Sequence, residues 1–157
     1  MGLAGPTLHE GFGKIATALK NPSSLWCEVF SQQGNRGVLF QVMGQPYSKA
    51  NSRRLVTGKG GRPAVIKSAE ALKYAAHWRD TAPQLDFLLQ GRLRVYGAIM
   101  YASERPDLDE SLILDLAQGM IYENDRQVRE KFFIQGVDTE KPRAVLLFEE
   151  TVPGLLK

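Results

Sequence analysis

The 157 residues are 43% hydrophobic and 24% charged, the balance of one compact domain with its own core, which excludes a disordered chain or a fibrous repeat. No apolar run approaches the roughly 20 residues that span a bilayer, no signal-peptide pattern opens the chain, and a single Cys27 rules out an internal disulfide or a cysteine metal cluster. The reading is a cytoplasmic protein without a membrane anchor, and its net charge of +3 with a pI of about 9.1 becomes informative only through its placement.

Residues 1–35 scatter Gly2, Gly5, Pro6, Gly11, Gly13, Pro22 and Gly34 among short apolar pieces. Regular structure is expected there only as a short helix over 10–20, and the segment is read as an N-terminal extension of unassigned role to a domain covering 36–157. Gly37–Met43 is β-rich and apolar and closes at Gly44 and Pro46, which predicts a first strand running into a polar loop that holds Lys49, Arg53 and Arg54. Gly58–Gly61 reads as a mobile loop. Ser68 offers its oxygen to the unpaired amides of a first helical turn, predicting a helix over 69–80. Leu93–Tyr101 alternates as a strand, with Leu93, Val95, Gly97, Ile99 and Tyr101 on one face. Leu112, Ile113, Leu116 and Ala117 then have helical spacing over 109–119, with Gly119 as the left-handed terminator. Two last strands, 131–134 and 143–148, flank the 136–142 loop and are expected to pair as a hairpin. The order is α+β, a single small domain with a mixed sheet and helices packed on it.

Charge is segregated along this order. From Arg36 to Arg79 nine cations face only Glu70, while from Glu104 to Asp125 seven anions face only Arg105. A cationic segment suits a phosphate backbone, and a tight carboxylate set suits a metal that attacks it, so together they point to a metal-dependent nuclease. Asp107–Leu108–Asp109 falls where a strand gives way to a helix, and alternation there puts both carboxylates on one side with Leu108 turned to the core. A hard divalent cation takes such oxygen ligands and keeps waters, and Asp125 is the natural third ligand. A capping role for Asp109 at the helix start is the competing reading. His9 and His77 are too few for a zinc site, and His77 beside Trp78 reads as packing.

The string Arg105–Pro106–Asp107–Leu108–Asp109, then a short helix, then Tyr122–Glu123–Asn124–Asp125–Arg126–Gln127–Val128, resembles the RusA family of Holliday-junction resolvases. The basic stretch Gly44–Arg54 is similar to the loop after that family's first strand, and the likeness covers about residues 38–150. The resemblance implies a RusA-like fold and a homodimeric, Mg²⁺-dependent endodeoxyribonuclease, with Mn²⁺ as an alternative cofactor. Such an enzyme resolves branched DNA, the four-way junction, by paired phosphodiester hydrolysis in recombination and repair, within a bacterial or phage-infected cell. It also implies Asp107, Asp109 and Asp125 as catalytic metal ligands, and Lys49, Arg53, Arg54 and Lys67 as contacts to phosphates.

Two positions depart from the pattern. Asn124 stands where the family commonly has an acid, and Ile113 stands where it usually has a lysine suited to stabilising phosphate charge. Asp115, Asn124 and Lys131 are therefore read as accessory residues, with Lys131 or Lys67 as a replacement cation. Two other readings stay open: a DNA- or junction-binding protein of the same fold with weakened catalysis, and a non-enzymatic interaction module whose acidic patch docks a basic partner.

Overall fold

The computed structural model describes residues 8–22, 26–32, 34–47, 53–61, 63–67 and 69–151. Its helices are α1 (Leu8–Leu19), α2 (Ala69–Thr81) and α3 (Ser111–Ala117). Its strands are β1 (Cys27–Gln32), β2 (Asn35–Met43), β3 (Arg53–Thr57), β4 (Pro63–Lys67), β5 (Leu93–Tyr101), β6 (Val128–Val137) and β7 (Arg143–Glu150). Five strands form one mixed sheet in the order β1-β2-β7-β5-β6, and β3 and β4 make a separate antiparallel pair. The α+β class, with helices on a mixed sheet, is as the sequence implies. Among the described residues no helix is long and apolar enough to cross a membrane.

Burial explains the strand order. Every residue of β7 is buried, and a strand covered on both faces belongs at the centre of a sheet. Ala144, Leu146 and Phe148 pack on one side with Tyr74 and Trp78 of α2 and Leu112 and Ile113 of α3. Val145 and Leu147 pack on the other with Ile15 and Ala18 of α1. The expected hairpin between the last two strands does not form. β7 instead inserts between β2 (Val38↔Phe148) and β5 (Val95↔Phe148), antiparallel to both. β6, whose residues alternate between partial burial and exposure along its first half, lies at the edge and runs parallel to β5, with Val95 paired to Lys131. A parallel pair needs a long crossover, and the 102–127 segment with α3 supplies it.

Part of the segment read as an extension is built into this sheet. β1 pairs antiparallel with β2 (Cys27↔Phe40). The C-terminal end of α1 is held by Arg143 Nη2, which donates to the Leu19 carbonyl at 3.0 Å. Leu93, Val95, Ile99 and Tyr101 share one core face as alternation predicts, with Tyr96 and Ala98 on the other.

Arg53 and Arg54 lie on a strand rather than in a loop. β3 and β4 pair with Arg53 opposite Lys67 and Arg54 opposite Ile66, and the Gly58–Gly61 segment makes the turn between them as a short 3-10 helix in which Gly61 N donates to the Gly58 carbonyl at 3.2 Å. Gly60 sits there at φ +72°, a conformation a residue without Cβ adopts freely. Lys49 and Ser68, the latter expected to cap α2, lie outside the described residues.

Candidate metal and phosphate site

The site begins where β5 ends. Tyr101, 2% exposed, closes the strand on the core side, and its hydroxyl reaches the chain as it turns toward α3. It donates to the Asp107 carbonyl at 3.3 Å and accepts from the Asp109 amide at 3.3 Å. Leu108 between them packs against the core. Asp107 and Asp109 consequently line one cavity of about 410 Å³ with Gln45, Pro46, Tyr47 and Arg105. The Gln45 side-chain carbonyl accepts the Ala102 amide at 2.6 Å, fastening the chain after β2 to the chain after β5. Burial, and then the carboxylates of Asp109, Glu110 and Asp107, push the Tyr101 phenol pKa up. Asp109 also serves the helix start, because its Oδ1 accepts the Ser111 amide at 2.9 Å. The N-cap itself is Glu110, without a side-chain capping bond, so Asp109 braces the helix start from one residue outside it while lining the cavity.

A second cavity, about 350 Å³, lies beyond the start of α3. Ser111, Asp115, Tyr122, Asp125, Arg129 and Lys131 are among its lining residues. Tyr122 is fully buried; its hydroxyl donates to the Leu114 carbonyl at 2.8 Å and stands 3.4 Å from Asp125 Oδ1. Burial, then Asp125 and Asp115, raise its pKa. Both aspartates therefore act on one phenol. Gly119, at φ +88°, turns the chain out of α3 so that Tyr122 can double back. Lys131 Nζ donates to Glu110 Oε1 at 2.7 Å. Glu110 follows Asp109 of the first cavity in the chain and Lys131 lines the second, so this ion pair links the two.

The sequence-derived set is thus divided. Asp107 and Asp109 come together, and so do Asp115, Asp125 and Lys131, but among the described residues no three His, Cys, Asp or Glu side chains gather around one point. Asn124 is engaged in the backbone: its Oδ1 accepts the Arg126 amide at 2.9 Å, and Gln127 Oε1 accepts the Asn124 amide at 2.8 Å, a reciprocal cap on the 125–127 turn. Ile113 is fully buried in the core, so its position cannot present a cation to the cavities. Sequence reasoning missed Tyr101 and Tyr122. Both carried a signal, a hydroxyl at a core-facing position that must find a partner.

The donors at the first cavity are carboxylates without sulfur or imidazole beside them, the chemistry that suits Mg²⁺ or Mn²⁺. Two carboxylates completed by water and phosphate suffice for such an ion. The chain matches no known protein-family model and no curated protein sequence.

Proposed function

We propose that this protein is a Mg²⁺-dependent DNA endonuclease of the RusA type, resolving four-way junctions as a homodimer. The observation that carries the reading is the pair Asp107 and Asp109 lining one cavity, pinned by a buried tyrosine hydroxyl at the mouth of β5. Asp107 and Asp109 would hold the cation, and Mn²⁺ would serve in place of Mg²⁺; Asp125, lining the second cavity, would have to move to join them as the third ligand. The cation supplies Lewis acidity and an acidified water for phosphodiester hydrolysis.

The chain's own residues do the rest. Arg129 and Lys131 line the second cavity and would hold a phosphate oxygen beside the acids. The β3–β4 pair carries Arg53 opposite Lys67, with Arg54 next along the strand, and these cations would contact the DNA backbone, with Lys49 preceding them in sequence. Contacts of that kind carry no base sequence, so selectivity rests on the shape of the junction. A two-fold dimer brings one such site to each of two strands related by a dyad.

Ile113 in the core and Asn124 in a cap favour a second reading, a junction-binding protein of the same fold that cleaves weakly or not at all. Incubating the full chain with labelled four-way junction and linear duplex, with and without Mg²⁺, decides between them. Metal-dependent paired nicks in the junction support the enzyme; binding without nicks supports the second reading; and no binding to either DNA leaves the acidic patch as a protein-docking surface.

A further inference from the structure

The first cavity holds a donor that the proposed function leaves unused. Resting on that reading, we infer that the Gln45 side-chain NH₂ is a substrate contact, donating to an oxygen of the DNA phosphate brought to the cation at Asp107 and Asp109. Three side chains lining this cavity can donate to such an oxygen: Gln45, Tyr47 and Arg105. Tyr47 and Arg105 are exposed, and among the described residues no bond fixes either side chain. Gln45 is half-buried and held. Its Oε1 accepts the Ala102 amide at 2.6 Å. The backbone leading to it is pinned as well, because the Gly44 amide donates to the Pro142 carbonyl at 2.8 Å and His77 Nε2 lies 2.8 Å from the Met43 carbonyl. A side-chain amide is planar, so a tethered oxygen leaves the nitrogen only directions away from Ala102. Among the described residues this NH₂ donates to neither aspartate nor to any other group.

An amide donor suits this position chemically. An ammonium group beside two carboxylates pairs with them and competes with the cation, whereas an uncharged NH₂ leaves both carboxylates to the metal. A donor already fixed in place needs no reorganisation when a charged phosphate oxygen arrives, and a hydrogen bond to such an oxygen is stronger than one between neutral groups. Among the described residues no lysine lines this cavity. Ile113 is enclosed by the core, and Lys131 lines the second cavity. Gln45 therefore supplies the held phosphate donor in the cavity that contains Asp107 and Asp109.

The test is a coupling measurement on the full chain, with Ca²⁺ replacing Mg²⁺ so that binding is read without cleavage. The probes are four-way junctions carrying a single methylphosphonate, which lacks one charged oxygen, at successive positions around the branch point. Gln45→Ala should weaken binding to the unmodified junction about tenfold. At one methylphosphonate position it should cost nothing further, because the oxygen it served is gone. Gln45→Ala also loses the tether to Ala102, but a merely structural loss is the same at every position. Gln45→Glu keeps an oxygen for the Ala102 amide, so it should melt with the parent and still lose at least as much affinity. Losses that add at every position, or a Gln45→Glu protein that binds like the parent, overturn the inference. Mn²⁺ binding without DNA, followed by electron paramagnetic resonance, tests the metal reading separately, and the parent and Gln45→Ala should bind it equally. Mn²⁺ affinity lost in Gln45→Ala makes the residue a support of the acids and overturns the inference alone. A parent that binds neither Mn²⁺ nor the junction overturns both.

Discussion

The Glu149 carboxylate on β7 lies 3.8 Å from Arg94 Nη1 on β5, yet it is buried and, among the described residues, neither oxygen is hydrogen-bonded. Arg94 makes its closest contact elsewhere, with Glu130 at 2.7 Å. Burial therefore dominates and pushes the Glu149 pKa up from 4.5 to about 7; Arg94 and Lys14 oppose the rise, and Glu10 and Glu130 add to it. Since the folded chain holds this proton more tightly than the unfolded one, the contribution is complete below the unfolded value and is lost as pH rises through about 7. Urea unfolding should show stability falling between about pH 5 and pH 8. Glu149→Gln should flatten that fall by on the order of 1–3 kcal/mol; an unchanged pH profile would refute the assignment.

Cleavage should fall at least about a hundredfold in Asp107→Asn, Asp109→Asn and Asp125→Asn, while junction binding persists or tightens. The amide introduced by Asp109→Asn keeps an oxygen for the Ser111 N–H, so loss of activity there cannot be ascribed to an unravelled α3. Gel-shift and nicking assays on the same preparations separate the two effects. Full activity in all three variants removes the metal reading.

Converting Lys49, Arg53 and Arg54 together to Ala should weaken DNA binding and flatten its dependence on salt, by roughly one unit of slope for each phosphate no longer neutralised. Affinity measured from low to moderate salt gives the slope directly. A slope equal to that of the parent clears this segment of DNA contact.

Restoring a lysine at Ile113 should not restore catalysis. The side chain is enclosed by the core, and an unpaired charge placed there costs about 3–5 kcal/mol, so Ile113→Lys should lower the melting temperature strongly. Lys131→Ala, at a half-exposed position beside the acids, should leave the melting temperature nearly unchanged and reduce nicking. Wild-type nicking by Lys131→Ala would exclude it as the replacement cation.

Light scattering of the purified chain should give twice the monomer mass, and nick mapping should find paired cuts on opposing junction strands. A monomer that cuts duplex and junction equally well would reduce the proposal to a generic nuclease.

Periodicity made β5, α2 and the core of α3 legible, because each carries its apolar residues at one repeat and ends at a Gly, a Pro or a turn. It did not decide partnership. The run Val145–Phe148 reads the same whether it forms an outer hairpin strand or the middle of a sheet; only burial of both its faces, which depends on α1 and α2 together, places it between β2 and β5. The hairpin of β3 and β4 hid for a related reason, since Arg53 and Arg54 look like loop cations until Leu55 and Val65 are seen as register partners. Of the site, the pairing of Asp107 with Asp109 around a core-facing Leu108 was readable, although the pair lies in irregular chain before α3 and not at the end of β5 as alternation implied. The division of Asp109 from Asp125 between two cavities was not, because it turns on where α3 stops and how Gly119 redirects the chain.

The place of β7 also governs how the molecule can be made. β2 and β5 are joined in the sheet only through it, and the pairing of Val38 with Phe148 closes most of the chain length at once. A nascent chain that has not yet delivered residues 143–150 lacks the strand that pairs with the inner edges of β2 and β5. Such a topology is dominated by distant pairings and forms slowly, and during that interval the exposed edges of β2 and β5 are open to pairing with another chain.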